Sequence, residues 1–565
     1  MIRILIPKTI KQKLQLFLGL LLKILSYIAF LLVPQTIQKI IDNSQVDYSP
    51  ILVIMLLFSL NLIFSIISSC LLLQYAENQI YILRKNITID LLKKDQLFFD
   101  SNLSGEVSGH IVNDSEVIRL FLSQFFPDFI SSIFLFIISL IFLFRLDFYL
   151  SSLMIACLLV MFVVLIPISN FVGKFAVRKQ ESLSQLSGYL TEIFQRTKLI
   201  KVYKGQQYVV SSLEKKLERL FKNSFVYSLI DLVIKPVILI FVFLVICISF
   251  GYGGYRVAQS TLTPGTLISF LIYLFQLLSP LSSIAQFGNQ LKKMKASLST
   301  IEQYTVDSST NNMNELILNT PIDSIELKGV TFDRNEKRVL NNLNMYFKRG
   351  EVTAIVGPSG SGKTTVVELI SKLYSTYSGQ ILFNHMDLSE ISTDSLYNRL
   401  TYVFQGTDFF SGTIYENLVF GLDYPPTLEK INEVLEATAL KLECYDLPNG
   451  LETILGENGI GLSGGQKQRL QIARALLRNA DIYIFDEVTA HLDSISESRI
   501  VETIRTYLSD KIIIYITHKM STIRSASKIC FLENGELVGF GSHEELKRSN
   551  HRYQEFISRE KNNQI

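Results

Sequence analysis

Hydrophobic and polar positions divide the 565-residue chain into two unlike halves. The first half holds six apolar runs with few charges, near 14–41, 50–77, 128–146, 149–171, 229–253 and 265–289. Each is long enough to cross a bilayer, which takes roughly 20 residues. Within a bilayer every backbone polar group must be satisfied inside the protein, so these runs are predicted as helices. The two long connections between them, about 50 residues each, also carry apolar residues at helical spacing, as in NQIYILRKNITIDLL and SLSQLSGYLTEIFQ. The membrane helices are therefore expected to continue past the bilayer. In the second half, short β-branched runs (VTAIV, LTYVF, DIYIF, KIIIYIT) alternate with helical patterns. Continuous apolar strands followed by helices predict a parallel sheet covered on both faces. An Asn-, Ser- and Thr-rich stretch, 306–322, reads as the linker between a membrane domain, 1–305, and an α/β domain, 323–565.

Charge sets the expected orientation. Basic residues crowd the N-terminal tail (Arg3, Lys8, Lys11, Lys13) and the segment after span two (Arg84, Lys85, Lys93, Lys94, Arg119). Eleven more lie between Lys174 and Lys222, whereas the opposite side offers Arg145 and Arg256 near its loop ends. The positive-inside rule puts both termini and both long connections in the cytoplasm of a multi-pass protein of the cell (inner) membrane. The first apolar run is too long for a signal peptide and no small-residue cleavage site follows it, so it is read as an uncleaved span. Because it starts almost at once, no N-terminal peptidase extension is expected. Inside the spans, Asp231 and Lys235 are four apart and can neutralise each other on one helix face. Lys23, in LFLGLLLKILSYIAFLL, has no such neighbour on its own helix. It is expected to snorkel or pack, or else to face an anionic group of a cargo. No acidic residue stands unpaired at mid-membrane depth, which argues against a proton-coupled antiporter or a dedicated cation carrier. A net charge of +3 gives no reason to expect nucleic acid as a partner. The five cysteines show neither CxxC nor metal spacing, so no disulfide framework is expected.

Chemistry concentrates in the second half. GPSGSGKT at 357–364 fits GxxxxGK[ST], follows the strand VTAIV and opens a helix. Gly357, Gly360 and Gly362, with Pro358, Ser359 and Ser361, let the backbone close around a β-phosphate. Lys363 neutralises β- and γ-phosphate charge, Thr364 offers a hydroxyl to Mg²⁺, and Thr365 follows directly. DIYIFDE at 481–487 ends a buried strand in two carboxylates, with Asp486 suited to the Mg²⁺ shell and Glu487 to polarising a water. KIIIYITH repeats the design and brings His518 to the same sheet edge. A second Gly-rich helix start, LSGGQ at 462–466, looks like a second anion site. Ser463 and Gln466 also fit a capping box, which would make it only a well-capped helix.

These motifs, in this order, resemble the ATP-binding cassette (ABC) transporters, of the exporter type with a fused membrane domain. The resemblance spans nearly the whole chain. TILGENGIGLSGGQ is similar to the exporter stretch before the signature, and FFDSNLSGEVSGHIVND (98–114) and EIFQRTKLIKVYKGQ (192–206) resemble the exporter intracellular loops. It implies ATP and Mg²⁺ as ligands, a glutamine loop at Gln405 that contributes to catalysis and the metal, and an aspartate loop ending at Asp493. It further implies a head-to-tail pair of ATPase domains. Each ATP would lie between the P-loop of one subunit and Ser463, Gly464, Gly465 and Gln466 of the other.

A chain with six spans and one ATPase domain is then half of a transporter. Because no motif is defective, a homodimer is favoured over a heterodimer with another half-transporter. Two departures stand out. Where exporters usually have an adenine-stacking aromatic in V-x-F-x-Y, this chain reads VTFDR, with Arg334 at that position. Its guanidinium would stack on the base, or Phe332 or a shifted register serves, or adenine is held loosely. The aspartate loop reads TAHLD, placing His491 at the dimer seam. The expected activity is ATP-driven export or flipping of a hydrophobic or amphipathic molecule (lipid, drug or peptide). The alternative is an ABC-type gated channel or regulator. Importers more often keep the two domains on separate chains and need a binding protein.

Overall fold

The structure is a computed structural model describing residues 7, 9–43, 48–102, 104–305, 316–334, 337–406, 409–456, 461–488 and 494–563. The side chains of some helix positions, chiefly in 158–184 and 230–242, are outside this description, Asp231 and Lys235 among them. So are His491 and Asp493. The chain forms two compact units. One comprises Met1–Leu92 and Gly105–Thr305, the other Lys93–Ser104 and Val306–Ile565.

The first unit is helical throughout. Its long helices are Ile10–Asp42, Ser49–Leu92, Phe126–Leu146, Phe148–Gln195, Gln206–Ala258 and Pro264–Glu302. Among the described residues, five segments are long and apolar enough to cross a membrane: Ile10–Asp42, Ser49–Leu92, Val107–Leu146, Leu239–Ala258 and Pro264–Glu302. The predicted fourth span, 149–171, falls on the helix Phe148–Gln195, of which Phe148–Cys157 is the apolar described part. That helix has 48 residues and Gln206–Ala258 has 53. At about 1.5 Å per residue both far exceed a hydrocarbon core about 30 Å thick, as the periodic connections predict.

Polar side chains stitch these helices where the backbone needs them. Pro34 has no N–H, so the carbonyl of Phe30 loses its helical donor; Gln276 Nε2 donates to it at 3.1 Å. Ser269 Oγ and Tyr273 OH donate to the carbonyls of Pro34 and Leu31 on the same stretch. Gly19 lies so close to the second helix that an added Cβ would meet Leu72 Cγ at 2.8 Å, and there Ser68 Oγ donates to the Gly19 carbonyl. Asp42 accepts from Thr263 Oγ1 and from the Gly265 amide, tying the end of one helix to the start of another. Asp147 caps Phe148–Gln195 and pairs with Arg256.

Lys23 is not alone. Its Nζ is 3.0 Å from Asp128 Oδ1 on the helix Phe126–Leu146. Helical spacing shows only neighbours three and four residues away, and this partner comes from more than a hundred residues later. Removing one charge leaves the other uncompensated in an apolar setting, a cost of about 2–3 kcal/mol. Lys23→Met or Asp128→Leu alone is therefore expected to lower the melting temperature of the detergent-solubilised protein. The double variant should recover most of that loss, and additive losses would remove the pair as the cause.

The second unit is built on a six-stranded sheet. Its order is Glu536–Gly541, Lys528–Glu533, Val352–Val356, Ile512–Ile516, Ile482–Asp486, Leu400–Val403. All pairings are parallel except that of the edge strand Glu536–Gly541. Ile482–Asp486 and Ile512–Ile516 are buried along their whole length, which explains their unbroken apolar sequences. An antiparallel sheet of Lys337–Lys348, Ser324–Arg334, Ser378–Phe383 and Met386–Asp387 packs against this core. Buried Asp481 gathers Arg349, Arg399 and Lys511 and accepts from the Ile322 amide, fixing the chain where it enters the sheet. Parallel strands end at one edge, so Val352–Val356, Ile482–Asp486 and Ile512–Ile516 deliver the segments that follow them to a common place.

Candidate functional site

The loop after Val352–Val356 turns on glycines. At Gly357, with φ +153°, an added Cβ would lie 2.0 Å from the Leu532 carbonyl oxygen, so no side chain fits. Gly362, at φ +95°, opens the helix Lys363–Ile370, and a Cβ there would meet Leu340 Cδ2 at 2.6 Å. Lys363 Nζ reaches back over this loop and donates to the carbonyls of Gly357 and Pro358, both at 2.9 Å. Burial pushes the Lys363 pKa down. An anion in the loop would restore the charge and give the ammonium a better acceptor. Ser361 Oγ is buried without a hydrogen-bond partner among the described residues.

Asp486 and Glu487 stand beside this loop. Thr364 Oγ1 and Tyr402 OH each donate to Asp486 Oδ2 at 3.2 Å. Burial raises the Asp486 pKa to about 6, against the hydrogen bonds that lower it. A cation held between Thr364 and Asp486 would favour the carboxylate. The orphaned Ser361 hydroxyl, the cationic Lys363 and the Thr364–Asp486 pair thus fit a phosphate with a hard metal ion. Glu487 adopts φ +47°, and its amide donates to the Ile516 carbonyl of the neighbouring strand. Its carboxylate is held from two sides. Gln405 Nε2 donates to Oε2 at 2.6 Å, and His518 Nδ1 lies 3.4 Å from Oε1.

Gln405, Glu487 and His518 are therefore in one contact chain next to the P-loop. Tyr402 was not anticipated from the sequence. Its only signal there is a polar aromatic within the strand that pairs with Ile482–Asp486. Arg334 is engaged with Asp100, from the short helix Gln96–Ser101. Ser463 and Gln466 form a complete capping box at the start of Gly464–Leu476, Ser463 Oγ accepting from the Gln466 amide at 3.2 Å and Gln466 Oε1 from the Ser463 amide at 2.7 Å. Among the described residues no hydrogen bond joins LSGGQ to the P-loop of the same chain.

Residues 340–490 match the family described as ABC transporter, and residues 16–281 match the ABC transporter transmembrane region. An ATP-dependent lipid A-core flippase of Syntrophus aciditrophicus is 30% identical, over 82% of this chain and 77% of the flippase. The chain belongs to the ABC transporter family. A multidrug resistance ABC transporter ATP-binding and permease protein of Lactococcus lactis is 27% identical over 96% of this ABC transporter and 92% of its own length. A bacterial Atm1-family ABC exporter, solved with ATP bound, shares the fold with a TM-score of 0.83 at 24% identity, covering 97% and 98% of the two chains. With the membrane region and the ATPase in one polypeptide, and with relatives named as a transporter and a flippase over most of its length, this chain is an exporter-type half-transporter and an ATP hydrolase rather than a channel. A half-transporter works as a pair of subunits in a lipid bilayer.

Proposed function

We propose that this half-transporter uses ATP to move a hydrophobic or amphipathic molecule out of the cytoplasm or the inner leaflet by alternating access. The convergence of Gln405, Glu487 and His518 on the P-loop edge carries the reading. The backbone of 357–362 and the Lys363 ammonium hold the triphosphate, and Thr364, Asp486 and Gln405 would hold Mg²⁺. When bound, the ion neutralises charge on the β- and γ-phosphate oxygens. Glu487 takes the proton of the attacking water, Gln405 fixes the Glu487 carboxylate, and His518 reaches the γ-phosphate. Thr365 backs the loop at the start of its helix. Ser463, Gly464, Gly465 and Gln466 serve the nucleotide of the other subunit, with Asp493 at the seam.

The functional parts are a membrane domain, 1–305, a linker, 306–322, and a cassette, 323–565, arranged as a homodimer in the inner membrane with both termini in the cytoplasm. The cargo class is supported by relatives named as a lipid A-core flippase and a multidrug transporter. The test is a screen of lipids, drugs and peptides for ATPase stimulation in proteoliposomes, followed by transport of each stimulating compound. At least one is expected to raise turnover and move vectorially with ATP. Ion conductance gated by ATP, with no compound moved, would overturn the pump.

A further inference from the structure

The Arg334 guanidinium lies between two carboxylates from different segments. Nη2 donates to Asp100 Oδ2 at 2.5 Å, and Nη1 is 4.0 Å from Glu368 Oε2. Asp100 sits on the helix Gln96–Ser101 and Glu368 on the P-loop helix Lys363–Ile370. Tyr374 completes the enclosure. Its ring centroid is 5.4 Å from the Arg334 Cζ, and its hydroxyl donates to the same Asp100 oxygen at 2.8 Å. The two carboxylates are not served alike. Burial pushes the Asp100 pKa up, but hydrogen bonds from Tyr374, Gln96 and Arg334 outweigh it and hold the group below the usual carboxylate range. Glu368 Oε2 is buried with no hydrogen-bond partner among the described residues, and burial pushes its pKa up. One guanidinium is thus committed to Asp100 while a second, poorly satisfied carboxylate waits nearby.

The segment carrying Asp100 has further ties to this unit. Asp95 Oδ2 accepts from the amide and hydroxyl of Ser375, the Gln96 amide donates to the Leu373 carbonyl at 3.1 Å, and Leu97 packs on the core. Segment Lys93–Ser104 belongs by its contacts to the second unit, although the chain on both sides of it belongs to the first.

We propose that Arg334 is a positioning residue for which Asp100 and Glu368 compete, so that docking of segment Lys93–Ser104 is linked to the P-loop helix. If Asp100 withdraws, Arg334 closes on Glu368 and stabilises the undocked state. If Glu368 loses its charge, nothing draws Arg334 from Asp100 and docking tightens. The two carboxylates therefore act on docking with opposite sign. Simple packing would not do this, because removing either group would then loosen the segment.

Lys93, exposed just before the helix, supplies the readout, since trypsin cuts after it when the segment undocks. The full-length protein in detergent is digested under limiting conditions and the cut after Lys93 is timed by mass spectrometry. Asp100→Asn is expected to speed the cut about tenfold, and Glu368→Gln to slow it about threefold. Asp100→Glu, which keeps the charge, should return the rate toward that of the parent. In an Arg334→Gln background Glu368→Gln should change nothing. Acceleration by Glu368→Gln, or an equal slowing without Arg334, would overturn the competition. The melting temperature of each variant separates a change in docking from a misfolded cassette. The meaning given to the P-loop helix rests on the proposed ATP-driven transport cycle. The cut requires no turnover, so failure of the link and failure of that cycle are distinguishable.

Discussion

Glu487→Gln is expected to lower ATP turnover by at least about 100-fold while leaving nucleotide affinity within a few-fold of the parent. The expectation follows from what the substitution keeps. The replacement has the same shape, and its amide oxygen can still accept from Gln405 Nε2, which now donates to Glu487 Oε2 at 2.6 Å. The left-handed backbone at φ +47° and the amide bond to Ile516 do not depend on the carboxylate. The P-loop, Thr364 and Asp486 are untouched. What disappears is a group able to take a proton from water. Phosphate release and equilibrium binding of a nucleotide analogue, measured on the purified protein, check the two halves of the expectation. Unchanged hydrolysis would remove Glu487 as the general base. Equal loss of binding and turnover would instead make it a ligand-holding residue.

The parts of this site that were legible in the sequence are those a short window can encode. An apolar strand ending in a Gly-rich loop, in Asp486–Glu487 or in His518 places all three at one sheet edge, because parallel strands share a direction. The long helices were legible for a similar reason, since apolar runs continue as helical periodicity well past bilayer length. Contacts between distant segments were not legible. Lys23 looked isolated because Asp128 is supplied by another helix. Arg334 could be aligned with a base-stacking position, but nothing near it in sequence announces Asp100, Tyr374 or Glu368. Gln276 gives no hint that it serves a carbonyl freed by Pro34. Each of these depends on which helix faces are apposed, and the identity of one residue leaves that open. The hydrogen bond from Gln405 to Glu487 falls between the two cases. Family resemblance pointed to Gln405, while the bond that gives it a task exists only in the fold.

The second large effect concerns Ser463. Ser463→Asp is expected to abolish turnover, about 100-fold or more, without weakening binding of nucleotide to the P-loop of the same chain. Asp is as good an N-cap as Ser, so the capping box with Gln466 and the helix Gly464–Leu476 survive; an Ala there would cost about 1 kcal/mol of cap. The new carboxylate, however, stands where the proposed dimer brings the phosphates of the other subunit, and like charges at such a distance repel strongly. Lys363→Ala gives the complementary defect, since it loses the cation that answers the triphosphate and so loses binding. Each variant alone is expected to be inactive. Equal co-expression is the decisive measurement. In a homodimer with composite sites, half of the dimers pair one variant with the other. Each mixed dimer carries one site with both defects and one with neither, so roughly a quarter of the parental sites are intact. Hydrolysis in the mixture, well above either variant alone, is the expected result. If each site were complete within its own chain, every chain in the mixture would be defective and no activity would return. The same experiment tests the homodimer, because subunits that pair only with a different half-transporter cannot complement one another.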